Sequence, residues 1–418
     1  HFPGANGEVV SSPPADFTGS IEGEVKSLSA DHADAAVRFG DQYILKMFRR
    51  MEDGTSPELE MGRFLGDRTG VPGITPKVAG YLEYQVNRHE PITLAVIETY
   101  VPNEGTAWSF THEELRRFYE RALARPRDEA IPPAPGASYV DLARQEPLQI
   151  VKDAIGQYMD SAHRIGQRTA ELHLALASAP NDPAFAPEHF SSFDRRSLYQ
   201  TLRNLIGRVL RSLHAELPRL PPHTAEYSRV LVAHEKEILK RFEPLLAHKL
   251  TSTRLRCHGD YHLGQVLYTG KDFVIIDFEG DREKELSERR RKRSPLRDVA
   301  GMLRSFHYAA FTALLDDAVV RPEDRAVAEP WAHLWQAWVS AAFLRAYLKT
   351  ADGASFVPST DAELSMLLDV FTFGKAFHEL SGELAKRSDR ILIPLHGLAA
   401  LLGLEPGTPP PRGGLHEQ

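Results

Sequence analysis

The residues of this sequence that are best suited to chemistry lie between positions 254 and 281, which read RLRCHGDYHLGQVLYTGKDFVIIDFEGD. Two short apolar segments, VLY and FVIID, flank a Thr-Gly-Lys turn and predict a β-hairpin. That hairpin would bring Asp260, Gln265 and Asp277 to one place. A carboxylate that can act as a general base, beside two hard oxygen donors for Mg²⁺, is the set of groups that phosphoryl transfer requires.

Strand patterns dominate the sequence that precedes this segment. Residues 1–18 are rich in Gly, Ser and Pro and predict a flexible lead-in. Within residues 19–101, AAVRF, QYILKMF, KVAGYLEY and ITLAVIETYV carry the β-branched and aromatic residues that are typical of strands. One helix is predicted in SPELEMGRFLG, with Ser56 as a candidate N-cap and Pro57 at the first helical position.

Helical spacing dominates residues 102–404, and the Pro- and Gly-rich residues 405–418 predict a disordered tail. The predicted helices cover residues 112–124, 150–178, 190–216, 224–247, 296–318, 330–350 and 361–387. A small β-rich half followed by a large helical half predicts an α+β protein with two lobes. We expect the site in the cleft between them, where nucleotide enzymes often bind their substrates.

The composition narrows the class of protein further. Of the 418 residues 42% are hydrophobic and 26% are charged, which predicts a soluble globular protein. No stretch approaches the roughly 20 apolar residues of a membrane span, and no signal peptide is evident. A net charge of −7 disfavours nucleic acid as a partner, and the single cysteine excludes an intrachain disulfide framework. A cytoplasmic location is expected.

Taken together, residues 254–281 resemble the catalytic loop and metal-binding motif of kinases, in the form used by small-molecule kinases. HGDxHxxQ stands where protein kinases carry HRDxxxxN, and IDFEG stands where they carry DFG. The resemblance implies the eukaryotic protein-kinase-like fold. It also implies that Asp260 is the catalytic base and that Gln265 and Asp277 are metal ligands, with Glu279 as a ligand of a second metal ion.

The same resemblance assigns nucleotide-binding residues in the N-terminal half. Lys46, in YILKMF, resembles the strand lysine that holds the α- and β-phosphates of ATP. Glu60, in the predicted helix, would be its ion-pair partner, and Glu58 is the competing choice. Glu98 and Val101, near the end of the segment ITLAVIETYV, would lie at the hinge that binds adenine.

Five motifs make the sequence similar to the maltokinase family in particular: YILKMFRR, RTAELHLALA, HGDYHLGQVL, IDFEG and ERRRKRSPLRDVAGMLRS. Members of that family phosphorylate maltose with ATP to give maltose 1-phosphate, and some are fused to trehalose synthase. The resemblance thus implies ATP and Mg²⁺ as cofactors, a small sugar as acceptor and a place in glycogen and trehalose metabolism, with trehalose synthase upstream as a fused or associated partner. It places His262, Lys375, His378 and Glu379 near the sugar.

Several stretches depart from the maltokinase pattern. Lys46 comes too early for the usual N-terminal cap, so the cap was lost or lies on an upstream segment that precedes His1. Residues 31–36 read DHADAA instead of EQSNTS, residues 374–379 read GKAFHE instead of DKAxYE, and residues 388–390 read SDR instead of PDW. An extra segment around 114–148 has no counterpart in the family.

These departures leave the groups for phosphoryl transfer intact and keep two alternatives open. One is a kinase of glucosamine, of another amino sugar or of an aminoglycoside, which an acidic acceptor pocket would favour. The other is a pseudokinase that binds a nucleotide or a glycan without turnover.

Three neighbouring features have structural interpretations. Asp298 is expected to act as an acid near a helix N-terminus, and His258 is expected to brace the loop backbone. The basic run at 289–293 predicts one or two arginines at the rim of the site and a solvated face for the rest.

Overall fold

The structure is a computed structural model that describes residues 2–3, 7–12, 23–28, 35–66, 73–86, 89–126 and 138–404. The strands of its main sheet are β1 (Phe2–Pro3), β2 (Gly7–Ser12), β3 (Val25–Leu28), β4 (Ala35–Phe39), β5 (Tyr43–Met47), β6 (Val78–Val86) and β7 (Ile92–Thr99). Within the described residues these seven strands form one sheet in the order β1-β2-β6-β7-β5-β4-β3, and every neighbouring pair is antiparallel. The sheet forms the small N-terminal lobe.

One helix, α1 (Pro57–Gly66), lies between β5 and β6 in the chain and packs on β6 and β7. Ser56 precedes it and its hydroxyl accepts a hydrogen bond from the Leu59 amide, which is the capping contact that the sequence predicts. Leu59, Met61 and Phe64 are buried against the sheet and the neighbouring lobe. The helix therefore has a fixed orientation towards the site.

The remaining elements build the larger, helical lobe, which holds most of the hydrophobic core. Its helices α2–α7 are Ala107–Leu123, Tyr139–Ala143, Gln149–Ile155, Tyr158–Leu176, Ser192–Glu216 and Pro222–Ala233, and α8–α10 are Glu235–Lys240, Pro244–Ala247 and Leu286–Arg289. The last four, α11–α14, are Leu296–Leu315, Arg325–Thr350, Asp361–Lys386 and Leu392–Leu402. Helices α5 and α11 both pack on the central helix α12, and none of the helices in the described residues combines the length and apolarity that a membrane crossing needs.

Two short strand pairs lie in the helical lobe. Strand β8 (Glu188–His189) pairs with β9 (Thr253–Arg254), and β10 (Val266–Tyr268) pairs with β11 (Phe273–Ile275). The Tyr268 carbonyl accepts a hydrogen bond from Glu104 N (2.8 Å), and Tyr268 N donates to the Gly105 carbonyl (2.9 Å). The β10–β11 hairpin is therefore anchored to the connection between the two lobes.

The structure confirms the predicted bilobal α+β fold of the protein-kinase type. The four strands predicted for the N-terminal half correspond to β4–β7, and the predicted helix α1 and the β10–β11 hairpin are present as well. The flexible lead-in predicted for residues 1–18 is wrong at Gly7–Ser12, because these residues pair along β6 as strand β2. Backbone hydrogen bonds to a distant strand outweigh the local Gly, Ser and Pro signals there. The predicted tail at 405–418 and most of the DHADAA stretch lie outside the described residues.

Candidate active site

The strand lysine is the cationic end of the site. Lys46 lies on β5, its Nζ forms an ion pair with Glu58 of α1, and it lies 3.0 Å from Glu98 Oε2 of β7. Burial by itself lowers the pKa of Lys46, but the carboxylates of Glu58, Glu98 and Asp277 raise that pKa well above its usual value. Lys46 is therefore a fixed ammonium group that can bind an anion.

Glu58, rather than Glu60, is the ion-pair partner of Lys46, which corrects the preferred prediction. The Glu58 side chain is fully buried, and its other oxygen, Oε2, accepts a hydrogen bond from the backbone N–H of Phe278. Phe278 directly follows Asp277. One carboxylate therefore joins the strand lysine of the small lobe to the metal motif of the large lobe.

Glu60 faces the other way and pairs with two arginines of the large lobe. Its Oε2 lies 2.7 Å from Arg256 Nη1, and its Oε1 lies 3.0 Å from Arg290 Nη2. Arg256 is 2% exposed and lies four residues before Asp260. Glu60 thus fixes α1 against the start of the catalytic loop.

Glu98 and Val101 were predicted at the adenine hinge. Glu98 is buried and its carboxylate contacts Lys46, so its side chain points towards the strand lysine. Val101 lies just after β7, and its carbonyl accepts a hydrogen bond from Asn103 Nδ2 (2.8 Å). That bond fixes the chain where it passes from one lobe to the other.

Asp298, in the first turn of α11, holds the backbone of the catalytic loop. Its carboxylate accepts hydrogen bonds from His258 N (2.7 Å) and Gly259 N (3.0 Å). His258 Nε2 donates to the Ile276 carbonyl (2.9 Å), which ties the loop to the strand before Asp277. The structural roles expected for Asp298 and His258 are therefore confirmed.

Gly259 shows why this loop needs a residue without a side chain. Its φ is +88°, a left-handed conformation that L side chains rarely adopt, and a Cβ there would come within 3.4 Å of Gly280 Cα. The close approach of Gly259 and Gly280 brings the catalytic loop and the metal motif together immediately beside Asp260.

Asp260 is a partly exposed carboxylate beside a lysine and a histidine. Lys375 Nζ lies 3.2 Å from its Oδ1, and His262 Nε2 lies 3.8 Å from its Oδ2. Burial by itself raises the pKa of Asp260, but Lys375, with a smaller contribution from His262, lowers it to about 2. Asp260 is therefore ionised at neutral pH and can accept a hydrogen bond from a hydroxyl group.

The oxygen donors expected for a metal ion lie around Asp277. Gln265 and Asp277 share the wall of one cavity with Asp260. Glu279 is buried, and one of its oxygens, Oε2, accepts from Arg289 Nη1 (2.8 Å). Its other oxygen, Oε1, has no hydrogen-bond partner among the described residues. Hard oxygen donors of this kind, one of them buried and unpartnered, fit Mg²⁺.

A cavity of about 570 Å³ opens beside Asp260. Its wall includes Lys375 and His378 of α13, two of the residues that the sequence analysis places near the sugar. Glu379 is different, because its carboxylate lies 2.8 Å from Nη2 of Arg304, a buried arginine of α11. Glu379 thus forms an ion pair between α11 and α13, and it is not among the described residues that line the cavity.

The sequence analysis did not identify most of the cavity wall. Helix α6 contributes Asp194, Ser197 and Thr201, and the segment after the metal motif contributes Asp281 and Lys284. No local spacing indicates the α6 residues, which lie some distance along the chain from Asp260.

The basic run at 289–293 is less solvated than expected. The side chains of Arg289 and Lys292 are 4% and 8% exposed, and they pair with Glu279 and Glu188 respectively. Arg291, Lys292 and Arg293 line the cavity. The run therefore forms part of the wall of the site.

Comparison with known proteins places this geometry among phosphotransferases. The profile of the APH family, described as a phosphotransferase enzyme family, matches residues 24–335. A glucosamine kinase of Streptacidiphilus jiangxiensis is 23% identical over 266 residues, which are 62% of this chain and 47% of that protein. A glucosamine kinase of Mycolicibacterium smegmatis is 22% identical over 295 residues, or 69% of this chain and 60% of that protein. The chain thus spans about half to three fifths of the length of these relatives.

Among solved structures, a glucosamine kinase in complex with glucosamine, ADP and inorganic phosphate has a similar fold. The TM-score is 0.69, with 19% sequence identity, and the match covers 96% of this chain and 80% of that one. The similarity establishes the arrangement of the two lobes.

Proposed function

The chain belongs to the phosphotransferase enzyme family, and we propose that it transfers the γ-phosphoryl group of ATP to a hydroxyl of a small amino sugar, with glucosamine the foremost acceptor. The observation that carries the proposal is the chain of contacts from Lys46 through Glu58 to Phe278, with the ionised Asp260 at the neighbouring cavity. Phosphoryl transfer uses a cation that binds phosphate groups near a carboxylate that binds the acceptor hydroxyl, and Lys46 and Asp260 would supply these two groups.

In this proposal, Lys46 binds phosphate oxygens of the nucleotide, and Glu58 holds its ammonium group in place. Asp260 accepts a hydrogen bond from the acceptor hydroxyl and aligns its oxygen with the phosphorus atom. A carboxylate with a pKa of about 2 is a weak base. Because the transition state of phosphoryl transfer is largely dissociative, alignment matters more than early removal of the proton.

Gln265 and Asp277 would hold Mg²⁺, and the unpartnered oxygen of Glu279 gives a further donor. The ion, when bound, supplies neutralisation of charge on the phosphate oxygens. Asp277 has a φ of 65°. This left-handed conformation is uncommon for a residue other than glycine and is characteristic of constrained functional positions.

The choice of acceptor rests on the relatives rather than on charge. Acidic side chains such as Asp281 and Asp194 line the cavity, but basic ones such as Lys284 and Arg297 line it as well. The cavity is therefore not the acidic pocket that would by itself select an amino sugar. Two curated relatives are glucosamine kinases, which favours glucosamine over the maltose that the motif resemblance suggests.

The test is a ³¹P NMR turnover assay with ATP and MgCl₂ against glucosamine, maltose, glucose and an aminoglycoside. We expect a new phosphate ester with glucosamine. The control is the Asp260→Asn variant, in which the charged hydrogen-bond acceptor is removed and the volume of the side chain hardly changes. The expected loss in kcat is about 10²–10⁴-fold, while ATP binding persists.

The outcomes separate the levels of the proposal. Turnover of maltose alone would leave the phosphotransferase assignment in place and refute the amino-sugar acceptor. ATP binding without phosphorylation of any of the four acceptors would refute catalysis and favour the pseudokinase alternative. Equal turnover by wild type and D260N would refute the role of Asp260.

A further inference from the structure

A cluster of metal-ligating side chains lies outside the site described above. Glu329 and His333 are four residues apart on α12, so they share one face of that helix, and His396 reaches them from α14. One ligand atom from each of the three lies within 4.8 Å of those of the other two. His396 Nε2 is 2.8 Å from Glu329 Oε1. Among the described residues, the wall of the acceptor cavity includes none of the three.

The surroundings hold the ligands in place and leave one side open. The Phe311 ring contacts both imidazoles, with centroids 5.0 Å from His333 and 4.9 Å from His396. Nδ1 of His396 is buried and has no hydrogen-bond partner in the described part of the chain. The Glu329 side chain is 42% exposed, which gives an ion a path from solvent.

We propose that Glu329, His333 and His396 form a binding site for a divalent transition-metal ion, with Zn²⁺ the ion it fits best. Two imidazoles and one carboxylate are a donor set that zinc favours, and a water molecule would complete a tetrahedron. The ligand atoms of the three residues lie within 4.8 Å of one another, so small side-chain movements would bring all three to an ion.

The site would fix the last helix of the described chain. Helix α14 contributes His396 and packs on α7, α11 and α13, whereas the other two ligands belong to α12. An ion bound to all three would cross-link α14 to α12. Because it binds the folded chain and not the unfolded one, it would raise the unfolding temperature.

The test uses the full chain, free of any histidine tag and dialysed against a chelator. Titration calorimetry with ZnCl₂ should show one zinc ion per chain, and ZnCl₂ should raise the unfolding temperature. His333→Gln and His396→Gln each remove a strong ligand, so we expect each to weaken zinc binding by about 100-fold. Glu329→Gln, at a more exposed position, should weaken binding in the same direction.

His214→Gln is the matched control, because His214 is an exposed histidine of α6, and it should bind zinc as tightly as wild type. Phosphotransfer measured without zinc should be the same in wild type and E329Q. Absence of stoichiometric zinc binding by the wild type would overturn the proposal. If H333Q and E329Q both bound zinc as tightly as the wild type, the proposal would be overturned as well, because the ion would then bind elsewhere on the chain.

Discussion

At the scale of single residues, Lys375 sets the protonation of Asp260, because it is the charged neighbour that most lowers the pKa of that carboxylate. Asp260 must be ionised to accept a hydrogen bond from a hydroxyl. If Asp260 aligns the acceptor as proposed, its pKa of about 2 predicts that phosphotransfer loses activity only near pH 2, below the pH range in which folded proteins are usually assayed.

Removing this cation should therefore move the acid limb upward. In Lys375→Met the burial of Asp260, which raises its pKa, is no longer opposed by the 3.2 Å ammonium contact. We expect kcat/KM of the variant to fall as pH decreases through the raised pKa, whereas wild-type activity stays level over the same range. The measurement is a profile of kcat/KM against pH. Lys284→Met, which removes another lysine of the cavity wall, is the control and should keep the wild-type limb.

At the scale of elements, α1 makes two separate connections to the large lobe. Glu58 reaches Lys46 and the Phe278 amide, whereas Glu60, two residues further on, reaches Arg256 and Arg290. Residues two positions apart on an α-helix point to nearly opposite sides of its axis, because the helix has about 3.6 residues per turn. The two carboxylates therefore contact different parts of the site. Glu58 holds the strand lysine, and Glu60 fixes the start of the loop that carries Asp260.

This division predicts different effects for two matched substitutions. Glu58→Gln removes the negative charge beside Lys46, so we expect kcat/KM to fall by about 10–100-fold. Glu60→Gln leaves Lys46 untouched and takes a charged partner from the buried Arg256. We expect it to lower the free energy of unfolding by about 1–3 kcal/mol, with a smaller loss of activity. Steady-state kinetics and urea unfolding of both variants give the comparison. A larger kinetic defect in E60Q than in E58Q would contradict the assignment of Lys46 to Glu58.

The same helix shows how far the sequence determines the site. The pattern of residues 56–66 predicts α1 correctly, and the hairpin spacing predicts that Asp260, Gln265 and Asp277 converge. Both depend on contacts between residues close in the chain. The choice between Glu58 and Glu60 depends on how α1 is rotated against the sheet, which distant packing decides. For the same reason, the pairing of Gly7–Ser12 with β6 and the contribution of α6 to the cavity had no local signal.

At the scale of the whole molecule, buried ion pairs join the two lobes. Arg289 of α10 is the central cation, because its side chain is 4% exposed and contacts both Glu52 of the small lobe and Glu279 of the metal motif. Burial raises the pKa of Glu279, and Arg289 opposes that effect. The stability of the two-lobed structure therefore depends on a charge pair whose strength varies with pH.

Arg289→Met should make this dependence visible. Without the guanidinium group, we expect the pKa of Glu279 in the folded state to rise further above its pKa in the unfolded chain. Ionised Glu279 is then less favourable in the folded state than in the unfolded chain, so folding loses stability at a pH where this carboxyl ionises. Each further unit of folded-state pKa costs about 1.4 kcal/mol once the pH exceeds that pKa, so the stability deficit of the variant should be larger at a pH well above the usual pKa of a glutamate than at a pH below it. Urea unfolding of wild type and R289M at the two pH values measures that deficit. In a Glu279→Gln background the part of this pH dependence that comes from residue 279 should disappear, because glutamine does not titrate. A deficit in R289M of the same size at both pH values would show instead that Arg289 stabilises the interface through packing and its contact with Glu52.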